Sequence, residues 1–121
     1  MDTIGVLGAG AMGSGIAQVA AAAGHKVILC DHLPTALTKA SKGIQASMKA
    51  LTERGKITDS EAYSLFSRIQ FADHMSAFRD CSMIIEAIVE DIDAKQIAFK
   101  SMEAVVPEST ILASKIGRAH V

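Results

Sequence analysis

Gly8-Ala9-Gly10-Ala11-Met12-Gly13 sets three glycines at the spacing GxGxxG, and Asp31 follows 18 residues after the last of them. A turn of this kind breaks no bonds; its chemistry is to hold a diphosphate. Gly8 permits a tight turn, Gly10 lets an anion approach the main chain with no Cβ in the way, and Gly13 lets a following helix pack close to a strand. The bare N–H groups and positive end of that helix then hold the phosphates. Glycine turns also occur without any ligand, so the spacing gains weight from its setting. It follows an apolar β-rich run, Thr3–Leu7, and opens a run of small helix-favouring residues.

Asp31 closes a second apolar run, Lys26–Cys30 (KVILC). A carboxylate there can accept hydrogen bonds from an adenosine ribose, each contributing roughly 1.5–3 kcal/mol. It would repel a 2′-phosphate, and no Arg follows it to offset that repulsion. NAD is therefore expected over NADP. Capping of the next helix is the other use open to Asp31.

The elements that must position these groups follow from periodicity and punctuation. Ala11 to Ala23 reads as a helix stopped by Gly24. Pro34 suits a first helical turn, and Leu37, Ile44, Met48 and Leu51 carry a second helix to about Glu53, nearly 30 Å at ~1.5 Å per residue. Thr58-Asp59-Ser60-Glu61 has the capping-box pattern and opens a third helix reaching about Ser67. Ile69–Ala72 reads as a weak strand, His74–Arg79 as a helical turn and Met83–Ala87 as a strong strand. Asp91 is placed to cap a helix with an apolar face of Ile92, Ile97, Phe99, Met102 and Val105, ended by Pro107. Thr110–Ala113 is a fifth strand. Strands alternating with helices predict parallel pairing through right-handed crossovers. The expected architecture is a Rossmann-type doubly wound α/β sheet, with a long helix pair (34–67) inserted between strands 2 and 3.

Composition narrows the alternatives. Half of the 121 residues are hydrophobic but only 4% are aromatic, so the core must be mainly aliphatic. A net charge of -1 without a basic stripe gives nucleic-acid binding no footprint. No apolar run approaches the ~20 residues of a membrane span. Asp2 follows Met1 and a strand begins almost at once, a start that predicts no secretory leader and a cytoplasmic location. Cys30 and Cys81 fit no metal or disulfide spacing and are expected as buried thiols.

The run GVLGAGAMGSGIAQVAAAAGHKVILCD resembles the N-terminal domain of the 3-hydroxyacyl-CoA dehydrogenase family, as do IIEAIVEDIDAKQ at the fourth strand and TILAS at the fifth. The likeness covers residues 3–114, and GIAQ and EAIVE separate this family from related β-hydroxyacid dehydrogenases that share GxGxMG. It implies oxidation of an L-3-hydroxyacyl-CoA, 3-hydroxybutyryl-CoA-like, to the 3-oxoacyl-CoA by hydride transfer to NAD. Gly8, Ala9, Gly10, Ala11, Met12, Gly13 and Asp31 would hold NAD, with Glu90 and Lys95 on its nicotinamide half. From the residues alone, Glu90 reads equally as a helix-start carboxylate and Lys95 as a solvated lysine. The resemblance also places Ser47 and Arg54 on positions that contact the CoA of an acyl-CoA substrate. Lys49, Arg54 and Lys56 would then form an anion-facing cluster; a solvated helix end is the other reading.

In the family the fifth strand continues into Asn-Thr-Ser-Ser, then a catalytic His with an orienting Glu, and a helical domain that closes the site and supplies homodimer contacts. No residue of the present chain matches a catalytic position, and His25, His32 and His74 are expected on the surface without a carboxylate at suitable spacing. The sequence departs from the family at Lys115. The adapter reading ATC GGA AGA GCA CAC GTC TGA encodes Ile-Gly-Arg-Ala-His-Val-stop, the residues of 116–121. We therefore expect residues 1–114 to be a cofactor domain lacking its last strands and helical partner domain, and 115–121 to be a non-native tail. A stand-alone NAD-binding or redox-sensing module is the alternative function.

Overall fold

The computed structural model describes residues 2–88 and 92–114, with the side chains of 92–95 and 114 left out. Five strands, β1 (Thr3–Leu7), β2 (Lys26–Cys30), β3 (Ile69–Ala72), β4 (Met83–Glu86) and β5 (Ile111–Ser114), form one sheet in the order β3-β2-β1-β4-β5. Every adjacent pair is parallel. The order reverses beside β1, and ligands of open α/β sheets gather at the carboxyl ends of strands flanking such a switch point.

Alternation along the strands splits the core between two faces. Val6, Val27 and Leu29 point to one face, where they pack on Ala17 and Ala21 of α1 (Ala11–Ala22) and on Ala40, Ile44 and Met48 of α2 (Pro34–Glu53). Leu65 of α3 (Asp59–Ser67) completes that layer. Leu7, Ile28, Cys30 and Ile84 point to the other face, against Phe78 of the 3₁₀ turn Met75–Phe78 and Phe99 and Met102 of α4 (Ile92–Val105). The long α2–α3 excursion lies between β2 and β3, as the sequence predicts. At Thr58 the capping box is complete: the Glu61 N–H donates to Thr58 Oγ1 at 3.0 Å, and the Thr58 N–H donates to Glu61 Oε1 at 2.9 Å.

Three local expectations change. The apolar face of α4 differs from the expected one: Ile97 is 66% exposed and Ala98 takes its place, because 98, 99 and 102 share the side turned to the sheet, Val106 rather than Val105 packs against them, and the side chain of Ile92 lies outside those described. β4 stops at Glu86, one residue early, where the Glu86 side chain turns back on its own main chain. β5 runs one residue later than expected, since Thr110 closes a turn with its N–H on the Pro107 carbonyl and its hydroxyl on the Cys81 carbonyl. The cap expected at Asp91 falls outside the described residues.

Candidate cofactor site

The glycine turn joins β1 to α1 at the centre of the sheet's carboxyl edge. Gly8 has φ +108, a left-handed conformation that side chains rarely adopt, and a Cβ there would meet the Ala87 carbonyl oxygen at 2.8 Å. A Cβ on Gly13 would stand 1.7 Å from the Gly8 carbonyl oxygen, so the close contact of α1 with β1 admits only glycine. Gly10 differs. A Cβ there would meet nothing within 4 Å. The space over Gly10 is open, as an approaching anion requires.

Gly10 is the N-cap of α1, with no side-chain cap and no acidic residue in the first turn. The leading N–H groups of the helix therefore carry no side-chain cap, and its first turn brings no carboxylate of its own. A diphosphate would supply an acceptor and a charge there. These residues fit a dinucleotide phosphate group on geometry alone.

Asp31 sits just beyond β2 with its side chain 15% exposed. The Ala9 N–H donates to its Oδ2 at 2.9 Å and the Leu33 N–H donates to its Oδ1 at 2.9 Å. The carboxylate thus ties the glycine turn to the end of β2. Leu33, not Asp31, is the N-cap of α2, and the Asp31–Leu33 bond is a local turn. The helix-capping use of Asp31 is accordingly the weaker one. Cys30 lies directly before it, buried, its thiol pushed up to about 11 by burial and then by the Asp31 and Asp73 carboxylates. Cys81 is likewise buried with its thiol raised to about 11. Neither is a nucleophile at neutral pH.

A groove of about 560 Å³ leads away from the turn between α1 and α2. Gly10, Ala11, Ser14 and Gly15 form one wall and Ala36, Ala40 and Gly43 the other, with Gln18 and Lys39 as its longer polar side chains. The small residues hold the walls apart. Ser47 sits half-buried near the groove's end, where Gln18 Nε2 donates to its Oγ at 3.0 Å. Sequence reasoning noted Gln18 only as part of a motif; its pairing with Ser47 across 29 residues becomes visible in the packing of α1 on α2. Arg54 is the exposed C-cap of α2, and Lys49 and Lys56 are exposed around the same helix end. No carboxylate pairs with these three among the described residues.

The structure brings together Gly8 through Gly13 and Asp31, and it sets Ser47 beside the same groove. Glu90 lies outside the described residues, and Lys95 belongs to α4 without a described side chain. His32 and His74 are 87% and 84% exposed, as expected for surface histidines. Asp31 lies 3.7 Å from His32 and Asp73 3.9 Å from His74, each the preceding residue, so neither contact supplies a carboxylate at the spacing of a catalytic pair. Chain adjacency rather than a built pair explains both contacts. His25 Nδ1 lies 3.0 Å from the Asp2 carbonyl oxygen. Among the described residues no cluster of His, Cys, Asp and Glu could hold a metal ion, and no helix is long and apolar enough to cross a membrane.

Residues 3–117 match the family model described as 3-hydroxyacyl-CoA dehydrogenase, NAD binding domain. The chain is 41% identical over 110 residues to a probable 3-hydroxybutyryl-CoA dehydrogenase of Deinococcus radiodurans, covering 91% of this chain and 39% of that protein. It is 38% identical over 122 residues to the mitochondrial hydroxyacyl-coenzyme A dehydrogenase of Rattus norvegicus, covering 96% and 39%. The crystal structure of (S)-3-hydroxybutyryl-CoA dehydrogenase from Ralstonia eutropha superposes with a TM-score of 0.91 at 32% identity, over 94% of this chain and 40% of that one. The chain thus spans about two fifths of the length of these relatives.

Proposed function

Because this chain belongs to the family of NAD-binding domains of 3-hydroxyacyl-CoA dehydrogenases, we propose that it is the cofactor half of an enzyme that oxidises L-3-hydroxyacyl-CoA, with short 3-hydroxybutyryl-CoA-like substrates, to 3-oxoacyl-CoA. The observation that carries the reading is the open space over Gly10, bordered by the uncapped start of α1 and by Asp31 bonded to Ala9. NAD, when bound, supplies the acceptor for the substrate's hydride.

The chain's own residues bind and orient. Main-chain N–H groups of the first turn of α1 take the diphosphate, and the helix end offsets its charge. Asp31 offers its outward lone pairs to the ribose hydroxyls while its bond to Ala9 fixes its position. Glu90 and Lys95 are assigned to the nicotinamide half on family likeness. Ser47 and Arg54 are assigned to the CoA: Ser47 lies beside the groove leading from the glycine turn, and Arg54, at the end of α2, pairs with no carboxylate among the described residues. Arginine keeps the charge a lysine would bring but presents a planar fork to phosphate. The general base and its orienting carboxylate, and the dimer surface, are assigned on family likeness to the parts of its relatives that this chain does not span. Residues 1–114 alone would then bind ligands and not turn them over.

The test is a titration of the chain with NADH, repeated with acetoacetyl-CoA as the second ligand. NADH should bind, and acetoacetyl-CoA should bind in an Arg54-dependent manner, weakening about tenfold in Arg54→Ala. NADH binding with no response to acetoacetyl-CoA would favour a stand-alone NAD-binding or redox-sensing module instead.

A further inference from the structure

Glu86 is the one fully buried charged side chain among the described residues, and the cofactor site as built above gives it no task. Burying a carboxylate is costly unless hydrogen bonds repay the lost hydration, so a strand end that needed only packing would carry an aliphatic residue. Here the Ile88 N–H donates to Glu86 Oε2 at 2.6 Å, a short contact that bends the chain as it leaves β4. The main chain on either side is also fixed: Glu86 is in register with Leu7, and the Ala87 N–H donates to the Leu7 carbonyl at 2.7 Å.

The bend has a neighbour that matters. Leu7 precedes Gly8, and Gly8 presses directly on residues 87 and 88. A Cβ on Gly8 would lie 2.8 Å from the Ala87 carbonyl oxygen and 3.1 Å from Ile88 Cγ2. Ala87 and Ile88 are therefore the wall that holds Gly8 at φ +108, and Glu86 fixes where that wall stands. The consequence reaches Gly13, packed on the Gly8 carbonyl, and so the start of α1.

We propose that Glu86 is a positioning residue for the cofactor: its carboxylate sets the Ala87–Ile88 wall against which the glycine turn takes the shape that receives the diphosphate. The inference rests on the reading of that turn as the NAD diphosphate site. It predicts that what matters at position 86 is an acceptor of the right reach, not negative charge.

The chain and its variants Glu86→Gln and Glu86→Met are titrated with NADH and with ADP-ribose, which carries the diphosphate without nicotinamide, and their unfolding is followed by circular dichroism. Glu86→Gln should hold both ligands within about threefold of the parent, and folded Glu86→Met should lose about tenfold or more for both. Wild-type affinity in Glu86→Met overturns the proposal, as does a loss confined to NADH. If Glu86→Met does not unfold cooperatively, hydrogen exchange on the parent chain decides: the Gly8 and Ile88 amides should slow together on ADP-ribose binding, and slowing of Gly8 alone overturns it. A parent chain that binds neither ligand overturns the cofactor reading and this inference with it; a parent that binds both beside a tight-binding Glu86→Met overturns the inference alone.

Discussion

Replacing Asp31 by alanine should separate two jobs of one carboxylate, the main-chain bond that the structure shows and the ribose contact proposed above. The first is internal. Ala9 is 4% exposed and its N–H donates to Asp31 Oδ2 at 2.9 Å, so removing the acceptor strands a buried donor. Stranding such a group costs about 1–3 kcal/mol of stability. Leu33 is 50% exposed, and water replaces the carboxylate at its N–H with little loss. The second job is external. Each ribose hydroxyl bond to a carboxylate contributes roughly 1.5–3 kcal/mol, so losing one weakens NADH about 10- to 150-fold. NADPH responds differently, because removing Asp31 also removes the repulsion of its 2′-phosphate. Calorimetric titration of Asp31→Ala with both cofactors, beside a denaturant melt, reads the two jobs separately. NADH should weaken at least tenfold while NADPH holds or improves. Equal losses for the two cofactors would refute the ribose contact and leave Asp31 as a brace for the turn.

Gly10→Ala adds a methyl to open space and should leave stability within about 1 kcal/mol, yet weaken NADH severalfold or more by filling the anion's approach; melts beside NADH titrations check this. Gly13→Ala forces a methyl onto the Gly8 carbonyl oxygen 1.7 Å away and should destabilise by about 3 kcal/mol or more, visible as a lowered denaturant midpoint. Glu61 is held below its ordinary 4.5 by the Thr58 N–H, then by the Thr58 hydroxyl. A lowered acid stabilises the fold above its unfolded pKa and loses that effect as pH falls through the folded one, so the stability gap between the parent and Glu61→Ala should be full above pH 4.5 and shrink below it. Cys30 and Cys81, both raised to about 11 by burial, contribute stability that is full below pH 9 and lost as pH rises toward 11. Folded chain should resist iodoacetamide at pH 8, and both thiols should react once it is unfolded.

Much of the fold was legible along the chain because its signals are local. GxGxxG between an apolar run and a helix-favouring run, the capping box at Thr58, Pro34 at a helix start and the short continuous apolar run KVILC each depend on a few neighbouring residues. Their consistency identifies a parallel sheet before any contact is known. Along α4 periodicity allows Ile97 and Ala98, and likewise Val105 and Val106, nearly equal claims; only the side turned to the sheet decides between them. Strand ends shifted by one residue at Glu86 and Thr110, where side chains compete for main-chain partners in ways that propensity does not register. The site divided along the same line. Glycines required by backbone geometry were visible as a pattern, whereas Gln18 gained a partner in Ser47 only when α1 packed on α2.

The sequence by itself therefore determined which chemistry the turn can hold, since glycine spacing and an acidic residue at the end of β2 are properties of residue type and order. Tertiary structure alone decided that Asp31 grips Ala9, that residues 87 and 88 wall in Gly8, and that a buried glutamate stands behind them. The physical reason is distance along the chain. Residues 8, 31 and 86 stand at the carboxyl ends of three different strands, and only the parallel pairing of β2, β1 and β4 brings those ends to a single edge.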